Sequence, residues 1–402
     1  MTSEPVRDVF DAGGRGLQHH GLRRANERAV LTVIAFNAGV SNADIARLSG
    51  LAPQTVSAIL TDLEQAGLTA KGEVLRGRRG QPATPIFLRA DGAFAIGVEI
   101  GWRHVEVVLV DLHAQVLERQ HRDHVFPDAS TLPADIATMI GAMLAPLPDA
   151  QRARLRDIGV AMPTNIAGNL HLVDAPETQR ILWDKLDVAD ELARLTGLAV
   201  TLSNDGNAAC WAELIASPRP RPADFIYFLI SRYIAAGIVG QGTLWEGPSG
   251  NSANLGSMLV SDGDGRLQAA HFVASLTALE QRLTAAGFAV DATQIDRWDW
   301  AGFGDVLDQW IADSAKALAR VVFNTTTVIE SGLVVLDGVL PAPIIARLVT
   351  QLEAELQRLP IAPYVPPQVL PGHLGALAPA MGAAQLTLYR RHFSRTLADL
   401  AG

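Results

Sequence analysis

Apolar positions near the N-terminus recur at helical spacing in three successive segments. The first spans about Asn26–Phe36, with Val30, Val33 and Ile34 on one side, and stops at Gly39. A second opens at Ser41, where Asp44 three residues on completes a capping-box pattern; it carries Ile45 and Leu48 and ends at Gly50. A third opens with Pro53, a residue suited to a first helical turn, and sets Val56, Ile59, Leu60 and Leu63 at i, i+3, i+4 and i+7 before Gly67. The short stretch Ser49–Ala52 is the glycine-containing connection a helix-turn-helix needs. Two strand-like pieces follow, Leu68–Lys71 and Pro85–Leu88, on either side of Arg76-Gly77-Arg78-Arg79-Gly80-Gln81-Pro82. The pattern predicts a winged helix-turn-helix over residues 23–90, preceded by a flexible arm over residues 1–22.

Beyond Phe94 the texture changes. Apolar strand-like runs (Ala95–Ile100, Val105–Val110, Ile158–Ala161, Ala199–Leu202, Phe225–Ile230, Ile234–Val239, Leu333–Leu336) alternate with helical patterns. Those lie around Leu132–Leu144, Asp187–Leu195, Ala208–Ile215, Leu276–Ala285, Val306–Val328 and Pro343–Arg358. Such alternation predicts α/β layers over residues 94–402. The opening differs: Ala95–Ile100, Val105–Val110 and Ala114–Arg119 follow at short turns and predict an antiparallel meander.

Composition narrows the function classes. At 402 residues, with 49% hydrophobic and 19% charged residues, the chain suits two or three globular units. A single cysteine, Cys210, excludes an internal disulfide framework or a thiolate zinc cluster within one chain. No apolar run is long enough to span a bilayer, so the expectation is a cytoplasmic protein with no membrane contact. The net charge of −9 is uneven. Residues 1–90 hold 11 lysines and arginines against 8 acids, and the remainder 22 against 34. A basic head on an acidic body points to double-stranded DNA as the partner of the head.

The third helix is then the recognition helix. Pro53, Gln54, Thr55 and Ser57 at its front are small or amide-bearing, suited to base edges and phosphates. Arg76, Arg78, Arg79 and Gln81 form a wing tip for phosphates or a narrow minor groove. His19, His20, Arg23 and Arg24 offer charges that could touch DNA, but a disordered start is the reading favoured for this stretch.

These residues together resemble the ROK family (repressors, open reading frames, kinases), and within it the regulators that carry a winged helix-turn-helix before a sugar-kinase-like body. The resemblance rests on Asn26–Leu68, Gly77–Pro82, Gly97-Val98-Glu99-Ile100-Gly101, Gly159–Pro163, Asn204–Ala209 and Leu374–Ala384. It implies a two-lobed actin-like ATPase (ribonuclease-H-like) body. It also implies a repressor of carbohydrate-metabolism genes, a homodimer or homotetramer on an inverted-repeat operator, and a small carbohydrate-like effector.

The kinase chemistry of the family is altered here. Where its kinases carry Asp-x-Gly-Gly-Thr, this chain has Glu99-Ile100-Gly101-Trp102-Arg103. The second glycine loop reads Ser231–Gly237, and the adenosine-side glycines read Leu336-Asp337-Gly338-Val339. Side chains there obstruct a backbone phosphate cradle. The family's Gly-Glu-x-Gly-His motif is Ala253-Asn254-Leu255-Gly256-Ser257, and the cysteine-rich zinc loop is replaced by Ser261–Arg266. Neither a metal, a cofactor nor an enzymatic activity is therefore expected. Asp205 remains as a vestigial base candidate, and reads equally as an N-terminal cap of the helix over Asn207–Glu213. The ligand-binding set implied by the resemblance is Glu177, Asn204, Asp205, Asn254, Ser257 and His271. Two alternatives stay open: an ATP-dependent sugar kinase fused to a DNA-binding head, and a ligand-independent regulator whose body only oligomerises.

Overall fold

The computed structural model describes residues 19–73, 84–262, 264–291, 293–361 and 364–394. These fall into two compact units divided between residues 89 and 90, and residues 392–394 group with the first. Residues 392–394 therefore depart from the expected 94–402 body and group with the head.

The first unit is a winged helix-turn-helix. Helices α1 (His19–Phe36), α2 (Asn42–Ser49) and α3 (Pro53–Gln65) pack through Val30, Ile34, Ile45, Val56, Ile59 and Leu63, all buried. α1 starts earlier than the Asn26 expected, because its first turns are polar and exposed and give no apolar period. The capping box is real. The Ser41 hydroxyl accepts from the Asp44 amide at 3.2 Å, and the Asp44 carboxylate accepts from the Ser41 amide at 3.4 Å. Gly50 takes φ +69° just after α2, a left-handed conformation that lets the chain turn into α3. Strands β1 (Thr69–Lys71) and β2 (Ile86–Leu88) pair antiparallel, with Thr69 opposite Leu88, and Val40 bridges to Ile86. In this unit the Ser394 amide donates to Thr32 Oγ1 at 2.9 Å, so the C-terminal segment is tied to α1.

The second unit is built twice on one plan. In the first half, β3 (Phe94–Ile100), β4 (His104–Asp111) and β5 (Val116–Asp123) form the expected meander. Helices α4 (Leu132–Leu144) and α5 (Asp149–Arg152) lead to β6 (Leu155–Met162). Helices α6 (Ile166–Asn169), α7 (Glu177–Trp183) and α8 (Val188–Thr196) then lead to β7 (Ala199–Asn204). The sheet order is β5-β4-β3-β6-β7, with β6 and β7 parallel to β3.

Helix α9 (Asp205–Ala216) opens the second half, followed by β8 (Phe225–Ile230), β9 (Ile234–Gly240) and β10 (Thr243–Leu244). A hairpin of β11 (Leu259–Ser261) and β12 (Leu267–Ala269) precedes α10 (Leu276–Ala285) and α11 (Gly304–Ile329). β13 (Leu333–Gly338), α12 (Ala342–Gln357), β14 (Gln368–Pro371) and α13 (Ala378–His392) complete it. Its sheet order, β10-β9-β8-β13-β14, repeats that of the first half. Two sheets of this order are the duplicated ribonuclease-H-like architecture of an actin-like ATPase fold.

Glycines let α13 lie unusually close to its neighbours. A Cβ on Gly97 of β3 would stand 1.9 Å from the Ala380 carbonyl oxygen, and one on Gly382 would stand 1.7 Å from that of Ala208 in α9. No other residue type fits there without moving backbone.

Candidate DNA interface and ligand cleft

On the head, Val56, Ile59, Leu60 and Leu63 turn inward, which leaves Pro53, Gln54, Thr55 and Ser57 of α3 exposed. They form one polar front. The Ser57 hydroxyl is partly occupied: it donates to the Pro53 carbonyl at 3.0 Å and accepts from Asn42 Nδ2 at 2.8 Å. Asn42 and Arg47 of α2 border the same groove as Pro53, Gln54 and Ser57. The sequence carries no signal for these two, since the apolar spacing of α2 marks only its inward side. Arg23, at the edge of the stretch expected to be disordered, pairs with Glu27 and with Asp62 of α3, tying the two helices together. Arg76, Arg78, Arg79 and Gln81 lie outside the described residues.

In the body, the carboxyl ends of β6 and β7 face β9 and the loops that follow it, across a cleft of about 370 Å³. Five of the six expected ligand residues line it: Asn204, Asp205, Asn254, Ser257 and His271. The sixth, Glu177, does not. It occupies the first turn of α7 with its side chain in solvent, where Arg180 one turn on takes its carboxylate at 2.6 Å. Thr164, Asn165, Asn169 and Asn251 line the cleft as well. Thr164, Asn165 and Asn251 sit outside helices and strands and Asn169 ends the one-turn helix α6, where spacing carries no signal.

Asn204 and Asp205 divide the work at the start of α9. Asn204 is the cap: its Oδ1 accepts from the Asn207 amide at 3.1 Å, and its Nδ2 donates to Thr164 Oγ1 at 3.1 Å. The expected cap, Asp205, is instead the first helical residue, and its Oδ1 accepts from the Gly206 amide at 2.9 Å and from Asn204 Nδ2 at 3.0 Å. Burial, then the nearby Glu99 carboxylate, push Asp205 up to about 6 against the pull of these hydrogen bonds.

The opposite wall is a directed chain. The Ile234 amide donates to His271 Nδ1 at 3.1 Å, which fixes the ring proton of a neutral imidazole on Nε2. Nε2 meets Ser257 Oγ at 3.3 Å, and Ser257 donates to Asn254 Oδ1 at 3.1 Å. Burial pushes His271 down to about 4, so the ring is neutral at pH 7. Gly256 makes room for it, since a Cβ there would lie 2.2 Å from His271 Cε1.

Aromatic rings close one end. Trp102 and Tyr233 meet edge to face with centroids 5.7 Å apart, and Tyr233 meets His271 at 5.8 Å in the same way. The Tyr233 hydroxyl donates to the Leu172 carbonyl at 3.1 Å, locking the ring.

Residues 95–390 match the ROK family, and residues 23–68 match the winged helix-turn-helix DNA-binding family. The chain belongs to the ROK family. The uncharacterized protein y4fQ of Sinorhizobium fredii is 27% identical over 93% of this chain and 93% of its own. The xylose repressor of Bacillus spizizenii is 26% identical over 60% of this chain and 61% of its own length. Among solved structures, a ROK family transcriptional regulator, a homologue of the Escherichia coli MLC protein, shares the fold. Its TM-score is 0.69 at 19% identity, covering 95% of this chain and all of that one. With a DNA-binding head on a ROK body, this member is a transcription regulator.

A nucleoside triphosphate, which the family's kinases use, does not fit the residues present. Trp102 and Tyr233, both nearly buried, fill the two loops where those kinases have glycine. At the third loop, the buried Asp337 carboxylate accepts from the Gly375 amide at 2.9 Å, the Leu374 amide at 3.3 Å and the Tyr227 hydroxyl at 3.1 Å. These two amides are thereby already paired within the protein. Gly237, the glycine kept in the second loop, is explained by packing: a Cβ there would lie 2.3 Å from Cys210 Cβ. Zinc does not fit either, because Ser257 stands where the family has histidine, and the described residues place no three His, Cys, Asp or Glu side chains together for a metal.

Proposed function

We propose that this protein represses carbohydrate-metabolism genes, and that a small sugar-like effector in the body cleft governs its hold on DNA. The observation that carries the reading is the facing pair of polar walls. Asn204 and Asp205 stand on one side, and the chain from His271 through Ser257 to Asn254 stands on the other. A cleft of this size with convergent hydroxyl, amide and carboxylate groups suits a polyhydroxylated ligand. On this reading the body carries no phosphoryl transfer, supported by the side chains of Trp102, Tyr233 and Asp337 at the three loops. The effector acts by binding one state of the protein better than the other, and its leverage is limited to that difference. A homodimer or homotetramer presents paired α3 helices to an inverted-repeat operator. No described helix is long and apolar enough to cross a membrane.

The test is retention of genomic upstream fragments in a gel-shift assay, with and without a panel of sugars. Specific binding that one sugar alters by tenfold or more supports the reading. Absence of binding to every fragment at low salt, sugar present or absent, overturns it. The kinase alternative is decided separately by ADP release across the same panel: turnover abolished by Asp205→Asn would establish an enzyme. Sugar-insensitive specific binding would instead favour a body that only oligomerises.

A further inference from the structure

The cleft offers hydroxyl-binding groups freely but presents no cationic side chain among its described lining residues. Of the arginines next to lining residues, Arg103 donates to the Val125 carbonyl and Arg232 pairs with Glu280, while the Nε of each is buried without a hydrogen-bond partner. Backbone amides at a helix start ordinarily bind phosphate. Here the protein's own side chains take them: Gly206 donates to Asp205 and Asn207 donates to Asn204. On the facing wall the Ile234 amide is likewise spent on His271.

The charge that remains is negative. Asp205 lies on the wall, and Glu99, 8% exposed, lies close enough to raise its pKa. With a value of about 6, Asp205 is mostly a carboxylate at neutral pH. Glu99 faces His104 on its other side, Nε2 to Oε2 being 3.5 Å. A phosphate monoester brought here would lose hydration, find no cation among the lining side chains, and meet a carboxylate. An uncharged sugar meets no such barrier. Its hydroxyls find Thr164, Asn165, Asn169, Asn251, Asn254 and Ser257, and its apolar ring face finds Trp102 and Tyr233.

We infer that the effector is an unphosphorylated, uncharged sugar, and that Asp205 is the residue that excludes phosphorylated forms. The inference rests on the reading of the cleft as a sugar site. It divides effectors that a sugar-responsive regulator can meet on either side of a phosphorylation step, and it places this protein before that step.

The experiment is calorimetric titration of the full-length chain with matched pairs: glucose, mannose and N-acetylglucosamine, each with its 6-phosphate. For any pair that binds, the free sugar should bind at least about tenfold tighter. Asp205→Asn should narrow that ratio at least threefold. Asn169→Arg, which adds a cation to the same wall, should raise affinity for the phosphate independently of Asp205. Preference for a 6-phosphate in wild type overturns the inference alone. An unchanged ratio in folded, DNA-binding Asp205→Asn overturns the role of Asp205. Silence across the whole panel, free and phosphorylated alike, overturns the sugar reading and the inference with it.

Discussion

The backbone amide of Ile234 and the Nδ1 atom of His271 are 3.1 Å apart, and the amide can only donate. Protonating His271 therefore does more than charge a buried ring: it breaks the bond that seats it. Burial holds His271 down to about 4, and burial with repulsion from His104 holds His124 down to about 4 as well. Both folded values are depressed below the unfolded value of roughly 6.5. Their contribution is present above pH 6.5 and is lost as pH falls from there toward 4. Urea unfolding should show stability falling over this window by on the order of 1–3 kcal/mol for each ring. His271→Phe should flatten the dependence, while costing about 1–3 kcal/mol at pH 7 because the Ile234 amide loses its acceptor.

His104 should act in the opposite direction. Burial pulls it down most, but the Glu99 charge and hydrogen bond, then Glu106 and Asp123, together hold it above its ordinary value. It stacks on His121, centroids 5.4 Å apart, and His121 in turn contacts the buried Glu106 at 2.9 Å. A raised imidazole stabilises the fold fully below about pH 6.5, and that contribution disappears as pH rises through its folded value. The body's urea midpoint should therefore drop between pH 6 and 9 in wild type and drop less in His104→Gln. An equal drop in both proteins would remove His104 from the explanation.

The crossing of α13 over α9 sets a steric limit. With a Cβ on Gly382 only 1.7 Å from the Ala208 carbonyl oxygen, Gly382→Ala must separate two helices or fail. Overpacking usually costs about 1–3 kcal/mol, and more where backbone is the obstacle. Gly141, exposed on α4 with nothing within 4 Å of its would-be Cβ, is the control. Gly141→Ala should stabilise by about 0.4–1 kcal/mol. Thermal denaturation of the two variants should shift in opposite directions.

Much of this was legible in the chain because regular elements announce themselves. Leu132–Leu144 and Leu276–Ala285 carry apolar stripes that match the observed helices end to end. Phe225–Ile230 and Ile234–Val239 are apolar throughout, and both are central strands of a sheet covered on two faces. Edge and irregular elements were not legible. β14 is short and ends in Pro371, and β11 and β12 have only three residues each. The cleft was half legible for the same reason. Asn204, Asp205, Asn254, Ser257 and His271 sit in motifs with fixed spacing, whereas Asn165 and Asn169 sit in a one-turn helix entered through a left-handed Asn165. Glu177 failed because position in a motif does not fix where a long side chain points, and Arg180 was there to capture it.

The recognition helix allows binding to be separated from folding on one element. Gln54 and Thr55 are exposed, whereas Ile59 is 4% exposed in the same helix. Exposed substitutions away from caps cost within about 0.5 kcal/mol of stability. A lost base contact costs about 1–3 kcal/mol in binding. Gln54→Ala and Thr55→Ala should therefore keep the wild-type melting profile while weakening specific operator binding by about 5- to 150-fold. Their binding to unrelated DNA should change little, because phosphate contacts carry that. Ile59→Ala should do the reverse, destabilising the head by about 2–5 kcal/mol. At a temperature where its head is still folded, its ratio of specific to nonspecific binding should stay at the wild-type value. Footprinting against operator and random competitor, paired with thermal unfolding of each variant, separates the two effects. A Gln54 and Thr55 pair that loses neither affinity nor specificity would move base recognition off this face of α3.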